Sequence, residues 1–264
     1  MGMPRAGSTW LHRELNFRGD CKLAKNKESF YFQGFLGDRE TRETYWQNYA
    51  DSVNDNAIAL LGDITPSNGY ATLDQLLEYS KKLSELGLIG KPVLTLRDPI
   101  NQVVSLTQFQ KSMPMGLRSK QQISEWVYTV INKTAIHNQE HLNAELIMKH
   151  GISAFNSGLS MEFWPTWEKT ITNYLTVFGE VYIQFFEEMF NEEENRSLQN
   201  WLGIEYEPMN FTRKIFSFPS PNQLSLEEKK KVFSMYPKMK DNYDYAVNVW
   251  GQEKIDSIWW NPYK

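Results

Sequence analysis

The sequence is poor in cysteine, with only Cys21 among its 264 residues. A single cysteine excludes a disulfide within the chain and any metal site built from several cysteines. Free cysteines are among the most frequently buried residues in proteins. Cys21 is therefore predicted to be a buried or idle thiol rather than a catalytic one.

A basic excess is also absent, because 28 Lys and Arg residues are set against 32 Asp and Glu residues, giving a net charge of −4. Proteins dedicated to nucleic acids usually carry a large positive charge, so this balance argues against nucleic acid as a partner. A small anionic ligand stays compatible with the balance, since such a ligand needs only a local basic pocket.

Long apolar runs are lacking too. No stretch approaches the roughly 18 apolar residues that a membrane span requires. The N-terminus shows no secretory signal pattern. These absences predict a cytoplasmic protein without a membrane span.

The sequence does contain 41% hydrophobic and 14% aromatic residues, enough for a substantial core. Buried parallel strands are predicted by short apolar runs at residues 57–61, 92–96 and 181–186. Helices are predicted at residues 72–86, 101–110, 121–149, 162–177 and 226–238. This alternation predicts one α/β domain over residues 1–264, with a parallel sheet covered on both faces. Ligands of such sheets bind beyond the carboxyl ends of the strands.

Residues 2–9 (GMPRAGST) have the frame G-x-x-x-x-G-x-[ST], which is the shape of a phosphate-binding P-loop. The backbone N–H groups of such a loop, together with the N-terminus of the following helix, form an anion-binding nest. Ser8 replaces the lysine that clamps nucleotide phosphates in P-loop NTPases, so Arg5 is the nearby cation. The pattern favours a phosphorylated donor other than ATP. The alternative is a glycine-rich turn without a ligand.

Residues 4–11 (PRAGSTWL) resemble the loop with which sulfotransferases bind the 5′-phosphosulfate of their donor. Family members carry Lys or Arg at the position of Arg5. The family's loop follows a buried strand, whereas only Met1 precedes Gly2 here, so we expect that strand to be missing.

A second segment, residues 27–32 (KESFYF), resembles a stretch of carbohydrate-type sulfotransferases in which the Glu is the catalytic base. Sulfuryl transfer to a hydroxyl needs a carboxylate that removes the acceptor proton. The alternative is a solvent-exposed Lys27–Glu28 pair on a loop.

A third segment, residues 60–67 (LLGDITPS), resembles the family stretch at the substrate cleft. The alternative for its Asp63 is a Walker B acid that holds Mg²⁺.

A fourth segment, residues 93–99 (VLTLRDP), has Ser105 eight residues beyond Arg97 and is similar to the family's 3′-phosphate motif. Arginine at a strand end can pair with a phosphate in bidentate fashion. A salt bridge from Arg97 to Asp98 or another neighbour is the alternative. Pro99 suits the first turn of the helix that carries Ser105.

Arg213 and Lys214 lie where the family often has a basic loop closing over the donor, although the usual Lys-Gly-Arg pattern is absent. A plain surface basic pair is the alternative for these two residues.

The resemblance implies a three-layer α/β/α fold with a central parallel sheet, like that of P-loop nucleotide hydrolases. It also implies transfer of a sulfuryl group from 3′-phosphoadenylyl sulfate (PAPS) to a hydroxyl or amine by in-line displacement. Adenosine 3′,5′-bisphosphate (PAP) would be the product, and no metal is required. The implied catalytic residues are Glu28 as general base, with Arg5 and Lys27. The implied donor-binding residues are Arg5, Ala6, Gly7, Ser8, Thr9, Trp10 (on the adenine), Arg97, Ser105, Arg213 and Lys214. The implied acceptor-binding residues are Glu28, Tyr31 and Asp63.

Two other functions share parts of this pattern. A P-loop kinase or similar phosphotransferase would share the fold and Asp63, but needs the loop lysine that is absent. A non-catalytic nucleotide-binding protein would bind the donor without transferring anything. The expected acceptor is a small-molecule or carbohydrate-like compound. Aromatic residues at 30–32 and 45–49 suit stacking on a sugar or a phenol, and equally suit core packing.

Overall fold

The computed structural model describes residues 6–24, 29, 31–33, 42–112, 166–212 and 224–264. The helix predicted over residues 121–149 lies outside them. The chain divides into two compact units, which are Met1–Leu96 with Thr170–Ile215 and Arg97–Lys169 with Phe216–Lys264. The expectation of a single domain over the whole chain stays a prediction.

Two pairs of parallel strands belong to the first unit. Strand β1 (Cys21–Leu23) pairs with β2 (Leu60–Gly62), and β3 (Val93–Leu96) pairs with β4 (Tyr182–Phe185). Cys21 lies opposite Leu60 in the first pair, and Val93 lies opposite Tyr182 in the second. Mixed α/β structure with parallel strands is therefore confirmed. In the described part of the chain the strands form two separate two-stranded sheets rather than one central sheet.

The described residues also include several α-helices. In order they are α1 (Ser8–Asn16), α2 (Arg42–Val53), α3 (Leu73–Glu85), α4 (Pro99–Ser112), α5 (Trp167–Phe178), α6 (Glu192–Leu202), α7 (Leu226–Met235), α8 (Pro237–Trp250) and α9 (Gln252–Ile258). Short 3₁₀ turns span Tyr31–Gln33 and Pro66–Tyr70. Among the described residues, no helix is both long and apolar enough to cross a bilayer.

The predicted strands 92–96 and 181–186 are confirmed as β3 and β4. The strand predicted over residues 57–61 is shorter and begins later, at Leu60. Strand β1 was not predicted, since three residues are too few to show a periodicity. The helix predicted over residues 226–238 is wrong in its extent, because α7 ends at Met235 and Pro237 begins a new helix. Proline has no backbone N–H and disfavours a helical residue before it, so it separates the two helices.

Helix α1 is fixed in the first unit by its apolar face. Leu11 and Leu15, one turn apart, are almost fully buried in a cluster with Leu23, Val93 and Leu198. Burial of each such leucine contributes about 1.5–3 kcal/mol. These contacts tie α1 to a strand from each pair and to α6.

Cys21 belongs to the same hydrophobic cluster and is a free, buried thiol. Burial raises the pKa of this thiol to about 12, with a smaller contribution from neighbouring Asp20. The thiolate form is therefore disfavoured at neutral pH. The prediction of a buried thiol is confirmed.

Candidate active site

The turn before α1 requires a glycine at position 7. Gly7 has φ +84°, in the left-handed region that side chains rarely adopt. A Cβ atom at Gly7 would overlap Met189 Sδ and lie 3.0 Å from Phe186 Cδ2. Phe186 directly follows β4, and its N–H donates to the Leu96 carbonyl at 2.7 Å. The turn therefore packs against the carboxyl end of β4, the edge at which the sequence predicts a ligand.

The first residues around this turn are well enclosed. Ala6 and Ser8 are buried and Thr9 is half-buried, while the Leu11 N–H donates to the Gly7 carbonyl at 3.1 Å to begin the helix. The first N–H groups of an α-helix have no carbonyl partner within the helix and carry its positive dipole end. This arrangement can bind an anion. Arg5, the predicted cation of the loop, lies outside the described residues.

Trp10 is a core residue in this structure. Its side chain is only 3% exposed, and its ring contacts those of Phe190 and Phe211 at centroid distances of 5.0 Å and 6.2 Å. Its Nε1–H donates to the Asn210 carbonyl at 3.2 Å. The predicted stacking of Trp10 on an adenine stays a prediction.

The segment that leads to the predicted basic pair is anchored on α1. Besides the bond from Trp10, the Asn210 N–H donates to Glu14 Oε2 at 2.8 Å. Thr212, two residues later, donates through its hydroxyl to Asn210 Oδ1 at 2.8 Å. Arg213 and Lys214 themselves lie outside the described residues, so their donor contacts stay predictions.

Asp63, at the carboxyl end of β2, accepts three hydroxyl groups. Thr65 Oγ1 donates to its Oδ1 at 2.6 Å, Tyr45 OH donates to its Oδ2 at 3.0 Å, and Ser29 Oγ donates to the same Oδ2. The Ser29 N–H in turn donates to Thr65 Oγ1 at 2.9 Å. Lys27 and Glu28 lie outside the described residues, but Ser29 follows Glu28 directly in the sequence. The sequence predicts Asp63 as a site residue, but it does not predict the hydroxyl groups that bind it.

An aromatic cluster extends from Tyr45 of this network. Its members are Tyr31, Phe32, Tyr45, Trp46, Tyr49 and Tyr79. Trp46 Nε1–H donates to Tyr31 OH at 2.9 Å, and Tyr31 is only 3% exposed. Burial, with the nearby Asp63 charge, raises the pKa of Tyr45 well above its usual value. Tyr45 therefore stays neutral and able to donate its hydroxyl proton.

Core packing, one of the two readings of these aromatic residues, is thus observed for Tyr31 and Tyr45. Tyr31 also borders an open cleft of about 420 Å³ that is lined by Trp46 and several charged side chains. Among these, the Arg42 guanidinium lies over the Tyr31 ring at 5.1 Å and pairs with Glu78 at 3.6 Å. A contact between Tyr31 and an acceptor stays a prediction.

A second acid follows β3. Asp98 is 1% exposed, and its carboxylate accepts the Asn101 N–H at 2.8 Å and the Trp260 N–H at 2.9 Å. Burial raises the pKa of Asp98, against the opposing effect of these backbone N–H groups. Asp98 therefore caps α4 and ties the C-terminal segment to it, a role that its place in the sequence did not indicate.

In the sequence, Asp98 lies between Arg97 and Ser105, the two residues predicted to bind the 3′-phosphate. Arg97 directly follows β3 and is half-buried, and Ser105 lies on α4 and is buried. Pro99 begins α4, as its position in the sequence predicts. Phosphate binding by Arg97 and Ser105 stays a prediction. Within the described ranges, no cluster of three or more His, Cys, Asp or Glu residues is arranged to hold a metal ion.

Comparison with known proteins bears on the fold. The chain is similar to a crystal structure of a sulfotransferase from Alicyclobacillus acidocaldarius, with a TM-score of 0.54 and 15% sequence identity over 93% of each chain. No family model matches the chain. No curated protein matches it either. At this identity the similarity concerns architecture rather than activity. The chain shares the overall fold of this solved structure, with mixed α and β structure and parallel strands.

Proposed function

We propose that the protein is a sulfotransferase that moves a sulfuryl group from PAPS to a hydroxyl group of a small or carbohydrate-like acceptor. The observation that carries the proposal is the Gly7 turn, which opens α1 against the carboxyl end of β4. The sulfotransferase fold and the motif after β3 support it. The proposal includes one parallel sheet in a three-layer, P-loop-like arrangement, to which both strand pairs belong.

The donor would be held through its anionic groups. The backbone N–H groups of the Gly7 turn and of the first turn of α1 would bind the anion, and the α1 dipole favours negative charge there. Arg5 would add a charge-assisted hydrogen bond to the 5′-phosphosulfate. Arg97 and Ser105 would bind the 3′-phosphate, the group that distinguishes PAPS from ATP.

The reaction would proceed by in-line displacement. Glu28 would take the proton of the acceptor hydroxyl while the acceptor oxygen forms a bond to sulfur. The bond between sulfur and the bridging oxygen of the donor breaks at the same centre, and PAP leaves with the negative charge. Arg5, Ser8 and Thr9 would stabilise that charge through donors that are already oriented, and Lys27 would position the sulfuryl group.

The donor site is tested by calorimetric titration with PAP, and with ATP–Mg²⁺ in parallel. We expect PAP to bind more tightly than ATP–Mg²⁺. The variant Arg97→Ala should weaken PAP binding by about 10- to 100-fold, since it removes a charged hydrogen-bond donor. The matched control is Arg196→Ala, because Arg196 is exposed on α6 and pairs with Glu192 of the same helix.

Other outcomes of this titration favour other functions. Preference for ATP–Mg²⁺ would contradict the proposal and favour a phosphotransferase. Tight PAP binding without sulfation of any sugar, amino sugar or phenol in an acceptor panel would favour a non-catalytic nucleotide-binding protein. Equal loss of PAP binding in Arg97→Ala and Arg196→Ala would remove Arg97 from the donor site.

A further inference from the structure

We infer that Asp63 is a positioning residue, which holds the segment following Glu28 through hydrogen bonds from Ser29, Thr65 and Tyr45. This role rests on the proposed function, because it acts on the residue proposed as the general base. It differs from the direct acceptor contact that the sequence predicts for Asp63.

The three donors reach Asp63 from separate parts of the chain. Thr65 lies just beyond β2, Tyr45 lies on α2, and Ser29 lies in the segment after β1. An ionised carboxylate only accepts hydrogen bonds, so all three hydroxyl groups must donate. Both carboxylate oxygens are thereby engaged.

Ser29 is the most tightly held of these donors. It is fully buried, its hydroxyl donates to Asp63, and its N–H donates to Thr65 Oγ1, which itself donates to Asp63. The backbone and the side chain of Ser29 are therefore both fixed with respect to the end of β2. Loss of the Asp63 carboxylate would remove the acceptor of the Ser29 hydroxyl and of Thr65 Oγ1, the atom that receives the Ser29 N–H.

Tyr45 extends the network into the aromatic cluster. A phenol has one hydroxyl proton, and a carboxylate is a stronger acceptor than another phenol, so Tyr45 donates to Asp63. Tyr79 OH, 2.9 Å from Tyr45 OH, then supplies the proton for the bond between the two phenols. Oriented in this way, the chain of hydroxyl groups ends on Asp63.

The residues after Ser29 are fixed at further points. Tyr31 OH accepts the Trp46 Nε1–H, and the Phe32 carbonyl accepts Gln75 Nε2–H at 2.7 Å. The segment is thus held by β2, α2 and α3 immediately downstream of Glu28. A displacement of about 1 Å in a catalytic group can reduce a rate by about 100-fold, so an anchor next to the proposed base has a direct effect on turnover.

The bonds from three hydroxyl groups give Asp63 a structural role at this segment. Glu28 remains the residue proposed as the base, and Asp63 is expected to affect the rate through the position of the segment.

The test compares Asp63→Asn, Ser29→Ala and the double variant in the full chain, with Asp51→Asn as the matched control. Asp51 is an exposed acid at the end of α2 that accepts a bond from Gln47. The measurements are kcat with PAPS and the best acceptor of the sugar and phenol panel, acceptor KM, and calorimetric PAP affinity. We expect Asp63→Asn to lower kcat by about 10- to 100-fold with PAP affinity and KM within threefold of wild type.

The double variant supplies the decisive comparison. Because Ser29 and Asp63 share one connection, the double variant should lose little more than Asp63→Asn alone. Multiplicative losses in kcat would overturn the inference, as would a raised acceptor KM with unchanged kcat, which indicates direct acceptor contact. If Asp63→Asn does not fold, Ser29→Ala and Tyr45→Phe replace it, and unchanged kcat in both overturns the inference.

Hydrogen exchange of residues 29–33 separates this inference from the proposed function. If wild-type protein sulfates nothing, the proposed function fails, and faster exchange of this segment in Asp63→Asn still supports the anchor. Unchanged exchange in Asp63→Asn overturns the anchor whatever the activity of the protein.

Discussion

Strands β2 and β3 are each followed by an aspartate, yet the two carboxylates have different partners. Asp63 is half-buried and accepts side-chain hydroxyls from three segments. Asp98 is almost fully buried and accepts two backbone N–H groups, from Asn101 and Trp260. In the sequence both are simply acids after an apolar run. The partners, rather than the position, distinguish them.

Because their hydrogen-bond donors differ, substitutions of Asp63 and Asp98 should have different effects. Backbone N–H groups cannot leave their positions without moving the chain, so a buried acid that binds them stabilises a helix start and a chain segment. Hydroxyl groups can rotate towards water or another acceptor, so the cost of losing Asp63 falls on the position of one segment. We therefore expect Asp98 variants to lose stability and Asp63 variants to lose rate.

Replacement of Glu28, the residue proposed as the base, should have the greatest effect; Glu28 directly precedes Ser29 of the Asp63 network in the sequence. Glu28→Gln should lower turnover of PAPS by about 10²- to 10⁴-fold, because an amide cannot take the acceptor proton. PAP affinity should stay unchanged, since the proposed donor site consists of other residues. The control is Glu205→Gln at an exposed position. Near-normal turnover in Glu28→Gln would show that another residue is the base. The Asp63 anchor would then have no role in positioning the base.

The next prediction concerns Asp98 and the stability of the protein. Asp98→Ala should lower the free energy of unfolding by about 3 kcal/mol, because it leaves two backbone N–H groups without their acceptor. Urea denaturation measures the loss. Asp241→Ala, at an exposed position on α8, is the control and should stay within about 0.5 kcal/mol of wild type. A loss for Asp98→Ala no larger than that of the control would contradict a structural role.

Local patterns in the sequence predict some of these features and not others. The Gly7 turn and the start of α4 at Pro99 depend on neighbours within a few residues, and local patterns indicate them. Tyr45 as a partner of Asp63 and Trp260 as a partner of Asp98 are 18 and 162 residues away in the chain. No local pattern carries such a pairing, because tertiary packing creates it.

A smaller effect concerns how Asp98 responds to pH. Burial raises the pKa of Asp98 above its ordinary value of 3.8. The unfolded chain then ionises at lower pH than the folded one, so the stability associated with Asp98 is complete below 3.8 and falls as pH rises through the folded-state pKa. The variant Asp98→Asn cannot ionise. Subtracting its unfolding free energy from that of wild type across pH 3–7 should give a difference that declines with pH, and a rising difference would contradict the assigned cause.

The last and smallest effect concerns Asp256, which also belongs to the second unit. Its pKa is lowered, whereas that of Asp98 is raised. Lys264, at 2.6 Å, is the main cause that lowers the pKa of Asp256 to about 2, with help from Asn261 and Gln252. The stability associated with Asp256 is therefore complete above its ordinary pKa of 3.8 and is lost as pH falls through about 2. NMR titration of the Asp256 carboxylate in Lys264→Met should show its pKa rising towards 3.8. Because Lys264 is exposed, 1 M salt should move the wild-type pKa in the same direction. An unchanged value in Lys264→Met would assign the low pKa to the amide donors instead, and the contrast with Asp98 would then depend on neutral hydrogen bonds rather than on charge.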